Sequence, residues 1–205
     1  MKQKFDKRIE YINNSMDKWC LKKEIEEFYK GREILVTGGA GAIGSNLVIA
    51  LSNLVGGNGK VVILDNLSAS KHPEPWNVPP LNNVLFIYGD IRDTVHLDRI
   101  FKRNISLIFH LAAFFANQNS VDYPTQSADV DVIGIVRLLD YAVIKKIDRF
   151  IYASSGCAIY GSYPKLPLSE DFISMHLTTP YQINKMTGEM YCNFYNHHYG
   201  LNTVN

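Results

Sequence analysis

From residue 33 onward, short apolar runs alternate with segments in which apolar residues recur at helical spacing. The apolar runs predict strands at 33–36, 60–65, 84–88, 106–111 and 150–153. The helical spacing predicts helices at 94–103, 125–146 and 180–199, and one more that begins near Ser45. Strands that alternate with helices favour a parallel sheet covered on both faces, so we expect an α/β, doubly wound fold.

The two ends of the chain differ from this alternating region. Residues 1–30 are rich in Lys and Glu and carry apolar residues at helical spacing, with a candidate helix break at 13–15. We therefore expect an N-terminal helical extension at 1–30, packed on a domain at 31–205. At the other end, 201–205 resembles the start of a sixth strand, so we expect that the C-terminal end of this domain is truncated.

A glycine-rich turn lies between the first predicted strand and the following helix. Gly39, Gly41 and Gly44 satisfy G-x-G-x-x-G, and Gly38, Gly41 and Gly44 satisfy the related G-x-x-G-x-x-G. Such glycines permit a tight turn and let the backbone approach a pyrophosphate, while the N–H groups that open the helix face the phosphates. This turn predicts a dinucleotide ligand and a Rossmann-type sheet. The expected phosphate contacts are Gly38, Gly41, Ala42, Ile43 and Gly44.

An acidic residue ends the second predicted strand. Asp65 follows the glycine turn by about 20 positions, the spacing at which a carboxylate accepts hydrogen bonds from the hydroxyls of the adenine ribose. A carboxylate there repels a 2′-phosphate, so Asp65 favours NAD over NADP. Its neighbour Asn66 is also expected to bind the cofactor.

A tyrosine and a lysine stand four positions apart in the last predicted helix. Tyr181 and Lys185 therefore share one helix face. A nearby ammonium favours the phenolate, so we expect Lys185 to lower the pKa of Tyr181 and to prepare it for proton transfer in alcohol–ketone chemistry.

With these features in this order, the sequence resembles the extended short-chain dehydrogenase/reductase family, and within it the NAD-dependent epimerase/dehydratase group that acts on nucleotide sugars. The resemblance covers residues 33–205. Its motifs are Thr37-Gly38-Gly39-Ala40-Gly41-Ala42-Ile43-Gly44, Asp65-Asn66-Leu67-Ser68, Gly89-Asp90-Ile91-Arg92-Asp93, His110-Leu111-Ala112-Ala113, Phe150-Ile151-Tyr152-Ala153-Ser154-Ser155, Tyr160-Gly161 and Pro180-Tyr181-Gln182-Ile183-Asn184-Lys185.

The resemblance implies roles for residues that spacing alone does not assign. Asp90 and Ile91 would flank the adenine, and Leu111, Ala112 and Ala113 would line the cofactor trough. Tyr181 would exchange a proton with the sugar, and Lys185 would hold the nicotinamide ribose. Ser155 would hydrogen-bond the reacting oxygen, with Ser154 as the alternative. The resemblance also leads us to expect that the family's C-terminal substrate domain is missing from this chain.

The implied function is an NAD-dependent nucleotide-sugar epimerase, most similar to a UDP-hexose 4-epimerase. The alternatives are a dehydratase, decarboxylase or reductase of the same family, and a non-catalytic NAD-binding module. The family's dehydratases carry an Asp-Glu pair where this chain has Gly156, Cys157 and Ala158, which disfavours dehydration. Cys157 is expected to be a buried structural thiol rather than an acid or base, and His110 to pack at a strand end. Asp131 replaces an Asn that usually supports the local architecture.

The composition of the chain limits the classes of partner that we expect it to bind. The formal net charge is +1, so no strong field attracts nucleic acid or an anionic membrane, and no apolar run is long enough to cross one. The three cysteines, Cys20, Cys157 and Cys192, predict neither a disulfide framework nor a metal site, and they fit a reducing, cytoplasmic location. The family resemblance implies a homodimer through the helices at 125–146 and 180–199. Two apolar stripes agree with that: Ile135, Leu138, Leu139 and Ala142, and Met186, Met190, Tyr191 and Phe194.

Overall fold

A computed structural model describes residues 2–18, 23–69, 77–114, 117–161, 167–169 and 172–205. The sequence also predicts two irregular stretches, the proline-rich segment 71–80 and the segment 161–179, and both lie partly outside these described residues. All statements below concern the described ranges.

The described strands form one sheet of six parallel strands in the order β3-β2-β1-β4-β5-β6. They are β1 Glu33–Thr37, β2 Lys60–Asp65, β3 Val84–Tyr88, β4 Ile105–His110, β5 Arg149–Tyr152 and β6 Thr203–Val204. This order confirms the doubly wound Rossmann-type fold, and it places the topological switch point between β1 and β4. The expected sixth strand is present as two residues, which pair with Phe150 and Ile151 of β5.

Helices cover both faces of the sheet. They are α1 Lys2–Lys18, α2 Lys23–Tyr29, α3 Ala42–Val55, α4 Thr94–Ile100, α5 Asn117–Asp122, α6 Pro124–Ala128, α7 Gly134–Ile144, α8 Gly156–Tyr160 and α9 Pro180–Tyr199. The single helix expected at 125–146 is instead divided by a π-helical segment, Asp129–Ile133, between α6 and α7. The π-helical turn inserts Asp131 into the interior, where it is almost completely buried.

The core has two parts because successive strand residues point to opposite faces. Leu35 and Ile108 pack beneath α7 and α9, whereas Ile34 and Val36 pack beneath α3. The central strands are therefore apolar along their whole length, the pattern of parallel strands buried on both faces.

The N-terminal helices pack on α3. Helix α1 runs without interruption through the candidate break at 13–15, so that interpretation is wrong. The Ser15 hydroxyl donates to the Tyr11 carbonyl at 2.8 Å and Asn13 accepts a hydrogen bond from Asn53, so these polar residues find partners without ending the helix. Met16 of α1 is buried. The division into an extension at 1–30 and a domain at 31–205 stays a prediction.

One of the two apolar stripes expected at a dimer interface lies in the core. Ile135, Leu138, Leu139 and Ala142 are fully buried against the chain's own sheet, so they are not available to a partner. On α9, Met186 is also buried, but Met190 and Phe194 are 56% and 47% exposed. Among the described helices, none is long and apolar enough to span a membrane.

Candidate functional site

The glycine turn lies at the switch point of the sheet, where β1 and β4 end side by side. Gly38 has φ +72°, and a Cβ added to it would come within 2.6 Å of the Ala112 backbone nitrogen. A Cβ on Gly44 would come within 2.2 Å of the Gly38 carbonyl oxygen. Gly38 is therefore required because the segment after β4 lies close to the turn. Gly44 is required because the start of α3 lies close to the same turn. The turn and the segment Leu111, Ala112 and Ala113 are thus adjacent.

Gly41 differs from the other two glycines. Its φ is −73°, and the one described atom that an added Cβ would approach within 4 Å is the Gly38 carbonyl oxygen, at 3.2 Å. The protein alone would nearly accommodate a larger residue, so the space beside Gly41 remains open to a ligand. Helix α3 begins there without a side-chain cap, so the N–H groups of Ala42, Ile43 and Gly44 are the unpaired donors of a helix N-terminus. These donors and the open space fit a pyrophosphate.

Asp65 is held beside the glycine turn at the end of β2. Its Oδ2 accepts a hydrogen bond from the Ala40 nitrogen at 2.9 Å, and its Oδ1 accepts one from the Leu67 nitrogen at 2.8 Å. A carboxylate oxygen has more than one acceptor position, so both oxygens can still accept ribose hydroxyls. The fixed carboxylate suits an NAD ribose.

Asp90 lies in a polar cluster at the end of β3. It forms an ion pair with Arg92 at 2.9 Å and accepts a hydrogen bond from Asn66 at 2.8 Å. The hydrogen bond from Arg92 lowers the pKa of Asp90 to about 2, so it is ionised at neutral pH. Ile91 is buried with its side chain against Gly134, so only its backbone is available to a ligand.

Three side chains of the candidate catalytic group meet between α8 and α9. Thr179 caps α9, and the Ser120 hydroxyl accepts a hydrogen bond from the Tyr181 nitrogen at 3.0 Å, which fixes the first turn of the helix. Ser155 lies near enough to the Tyr181 phenol to lower its pKa, and the Ser155 Oγ lies 3.0 Å from the Cys157 sulfur. The Ser154 hydroxyl, in contrast, is buried without a hydrogen-bond partner in the described part of the chain. This arrangement favours Ser155 over Ser154.

The structure does not support the expected effect of Lys185 on Tyr181. Burial raises the pKa of Tyr181, the Cys157 and Asp131 charges raise it further, and the Ser155 hydrogen bond only partly offsets this. Lys185 Nζ lies 5.9 Å from the centroid of the Tyr181 ring and donates to the Ala153 carbonyl at 2.7 Å. The lysine is therefore turned toward the end of β5, and the expectation that it lowers the pKa of Tyr181 is wrong for this structure.

The sequence did not single out a buried polar network behind Tyr181. Asp131 accepts hydrogen bonds from the Phe114 nitrogen at 2.7 Å and from the Ser127 hydroxyl at 3.1 Å. Asn184 of α9 donates to that hydroxyl at 2.9 Å. The network joins the segment after β4 to α9. Burial raises the pKa of Asp131, whereas burial lowers the pKa of Lys185. The sequence feature that could have indicated this network is Asp131, which stands where the family usually has an Asn.

Two other candidates take definite places. Cys157 is half-buried beside Ser155, not in the core, so its assignment as a buried structural thiol is wrong. His110 is buried at the end of β4, as expected, with its Nδ1 at 2.7 Å from the Thr37 hydroxyl, and burial lowers its pKa to about 3. Among the described residues, no cluster of His, Cys, Asp or Glu could hold a metal ion.

The sequence model of the NAD dependent epimerase/dehydratase family matches residues 34–205. A UDP-glucose 4-epimerase of Mycolicibacterium smegmatis is 38% identical over 167 residues, which cover 82% of this chain and 52% of the relative. This chain thus spans about half the length of that relative.

Two solved structures are similar. An epimerase of Methanothermobacter thermautotrophicus is 45% identical, with a TM-score of 0.82 over 89% of this chain and 52% of that chain. A UDP-glucose 4-epimerase of Thermotoga maritima, solved with UDP-glucose, is 38% identical, with a TM-score of 0.73 over 83% and 53%.

Proposed function

Because the chain belongs to the NAD dependent epimerase/dehydratase family, we propose that it forms the cofactor-binding and proton-transfer half of an NAD-dependent nucleotide-sugar epimerase that acts at C4 of a UDP-hexose. The observation that carries the proposal is that one fold brings Tyr181 near Ser155 and leaves space at Gly41 of the glycine turn. The similarity to two UDP-glucose 4-epimerases supports the substrate class.

The proposed dinucleotide site follows the carboxyl ends of the strands. The first turn of α3, at Ala42, Ile43 and Gly44, binds the pyrophosphate, and Asp65 binds the adenine ribose. Asp90 and the backbone of Ile91 flank the adenine, Asn66 orients Asp90, and Leu111, Ala112 and Ala113 line the nicotinamide half of the trough. When bound, NAD accepts and returns a hydride.

The proposed proton transfer belongs to Tyr181. As the phenolate, Tyr181 takes the proton of the C4 hydroxyl while Ser155 donates a hydrogen bond to the same oxygen, so both groups hold the sugar where the hydride departs. Lys185, buried beside the Ala153 carbonyl, holds the nicotinamide ribose. After the keto-sugar turns over and presents its other face for the return of the hydride, Tyr181 gives the proton back to the C4 oxygen.

The family resemblance also implies a homodimer. We propose that its interface uses the exposed face of α9, with Met190 and Phe194, because the α7 stripe is buried. Light scattering at micromolar concentration should give twice the monomer mass, and Phe194→Glu should halve it. A monomeric unaltered chain would contradict this interface.

The experiment that tests the function is incubation of UDP-galactose and NAD with the chain and with any longer natural protein that contains it. Proton NMR of the nucleotide sugar should show UDP-glucose at unchanged total mass. A product lighter by one water would identify a dehydratase. Loss of carbon dioxide from a UDP-uronic acid would identify a decarboxylase. If the chain and any longer natural protein bind NAD but convert no sugar, the chain is a non-catalytic NAD-binding module.

A further inference from the structure

Helix α1 reaches the glycine turn through two side chains. The Asn77 amide nitrogen donates to the Ala40 carbonyl at 3.1 Å, to the Gly41 carbonyl at 3.1 Å and to the Ser45 hydroxyl at 3.0 Å. The Asn77 carbonyl oxygen accepts a hydrogen bond from Nη1 of Arg8 at 2.8 Å. The Arg8 guanidinium of the N-terminal helix is therefore linked to the proposed pyrophosphate site through a single residue, Asn77.

This guanidinium is incompletely paired. Among the described residues, Nε and Nη2 of Arg8 are buried and find no hydrogen-bond partner, and no carboxylate lies within 4.0 Å of the guanidinium. Its remaining contact is the Phe5 ring, 5.5 Å from Cζ. A buried cation without a counter-charge is costly unless a partner of opposite charge binds it. Burial correspondingly lowers the pKa of Arg8.

We propose that Arg8 binds a phosphate oxygen of the dinucleotide, so that the N-terminal helix completes the cofactor site of this chain. A planar guanidinium with two free donors matches phosphate oxygens, and the unpaired N–H groups at the start of α3 attract the same group. The pyrophosphate is favoured over a 2′-phosphate because Asn77 joins Arg8 to Gly41 and not to Asp65. This inference rests on the proposed function, because it requires a dinucleotide at the glycine turn.

The test compares binding of NAD, NADP, ADP and adenosine, by calorimetry, to the unaltered chain and to Arg8→Gln, Arg8→Lys and Lys7→Gln. Lys7 is exposed on the same helix, so Lys7→Gln removes the same charge without touching the site. Arg8→Gln should weaken NAD and ADP by roughly tenfold, the usual effect of losing a charged hydrogen bond, and leave adenosine unchanged. Arg8→Lys should restore part of the affinity, and Lys7→Gln should change nothing.

The outcomes separate the two proposals. If the unaltered chain binds NAD and Arg8→Gln binds it equally well, this inference is wrong and the dinucleotide site stands. If Arg8→Gln weakens adenosine as much as ADP, Arg8 only packs the turn, and the inference is again wrong. An effect confined to NADP would assign Arg8 to the 2′-phosphate instead of the pyrophosphate. If the unaltered chain binds no dinucleotide, the proposed function fails as well. A melting curve of each variant establishes that it is folded.

Discussion

Three glycine-to-alanine substitutions separate the packing role of the glycine turn from its role in binding. In Gly44→Ala the new methyl group would lie 2.2 Å from the Gly38 carbonyl oxygen and 2.8 Å from the Gly39 Cα. Because both are backbone atoms, α3 must move away from β1. Such overpacking costs about 1–3 kcal/mol, and the better helix propensity of alanine recovers up to about 1 kcal/mol. We expect the melting temperature of the unliganded chain to fall by roughly 3–6 °C.

Gly41→Ala should behave in the opposite way. Its methyl group meets only one oxygen, at 3.2 Å, so the unliganded chain should lose only about 0.5–1 kcal/mol, the usual preference for glycine over alanine at a helix start. The same methyl group would fill the space proposed for the pyrophosphate. At a concentration of 100 times Kd, NAD should stabilise the unaltered chain by about 2.7 kcal/mol, and this gain should disappear in Gly41→Ala.

The control is Gly57→Ala, where an added Cβ has no neighbour within 4 Å. Differential scanning fluorimetry with and without millimolar NAD measures all three variants. The reasoning would be refuted if Gly41→Ala kept the full NAD shift, or if Gly44→Ala melted at the same temperature as Gly57→Ala.

The remaining predictions concern two carboxylates. Asp90 has a pKa lowered from 3.8 to about 2, so its contribution to stability is present above pH 4 and is lost as the pH falls toward 2. Asp90→Asn should therefore cost about 2 kcal/mol at pH 7 in urea denaturation, and the difference should vanish near pH 2. The charge of Asp131 helps to raise the pKa of Tyr181, so Asp131→Asn should move the rising limb of kcat/KM to lower pH. An unchanged pH profile would show that Asp131 does not act on the phenol.

Most of the fold could be predicted from the sequence because its signals are local. The apolar runs at 60–65 and 84–88 coincide with β2 and β3, and helix 180–199 coincides with α9, which Thr179 and Gln182 cap reciprocally. The missed features depend on tertiary contacts. The π-helical turn at Asp129–Ile133 is stabilised by hydrogen bonds between Asp131 and partners as distant along the chain as Phe114, which no local pattern contains.

The candidate site shows the same limit. The sequence identified Tyr181 and Lys185 by their spacing, but spacing does not show which way a side chain turns. The Lys185 ammonium lies 4.8 Å from the Tyr152 ring and donates to the end of β5, an environment built by residues more than 30 positions away. The link from Arg8 through Asn77 to Gly41 is likewise formed only when α1 packs on α3.

The central claim is that Tyr181 transfers the proton in a nucleotide-sugar epimerisation. The most direct measurement is kcat for conversion of UDP-galactose in Tyr181→Phe, compared with Tyr199→Phe, a matched loss of a hydroxyl from an exposed position on the same helix. The account predicts that Tyr181→Phe retains NAD affinity and loses at least roughly 100-fold in kcat, whereas Tyr199→Phe stays near the unaltered rate. Near-normal turnover in Tyr181→Phe, with NAD bound, would contradict the account.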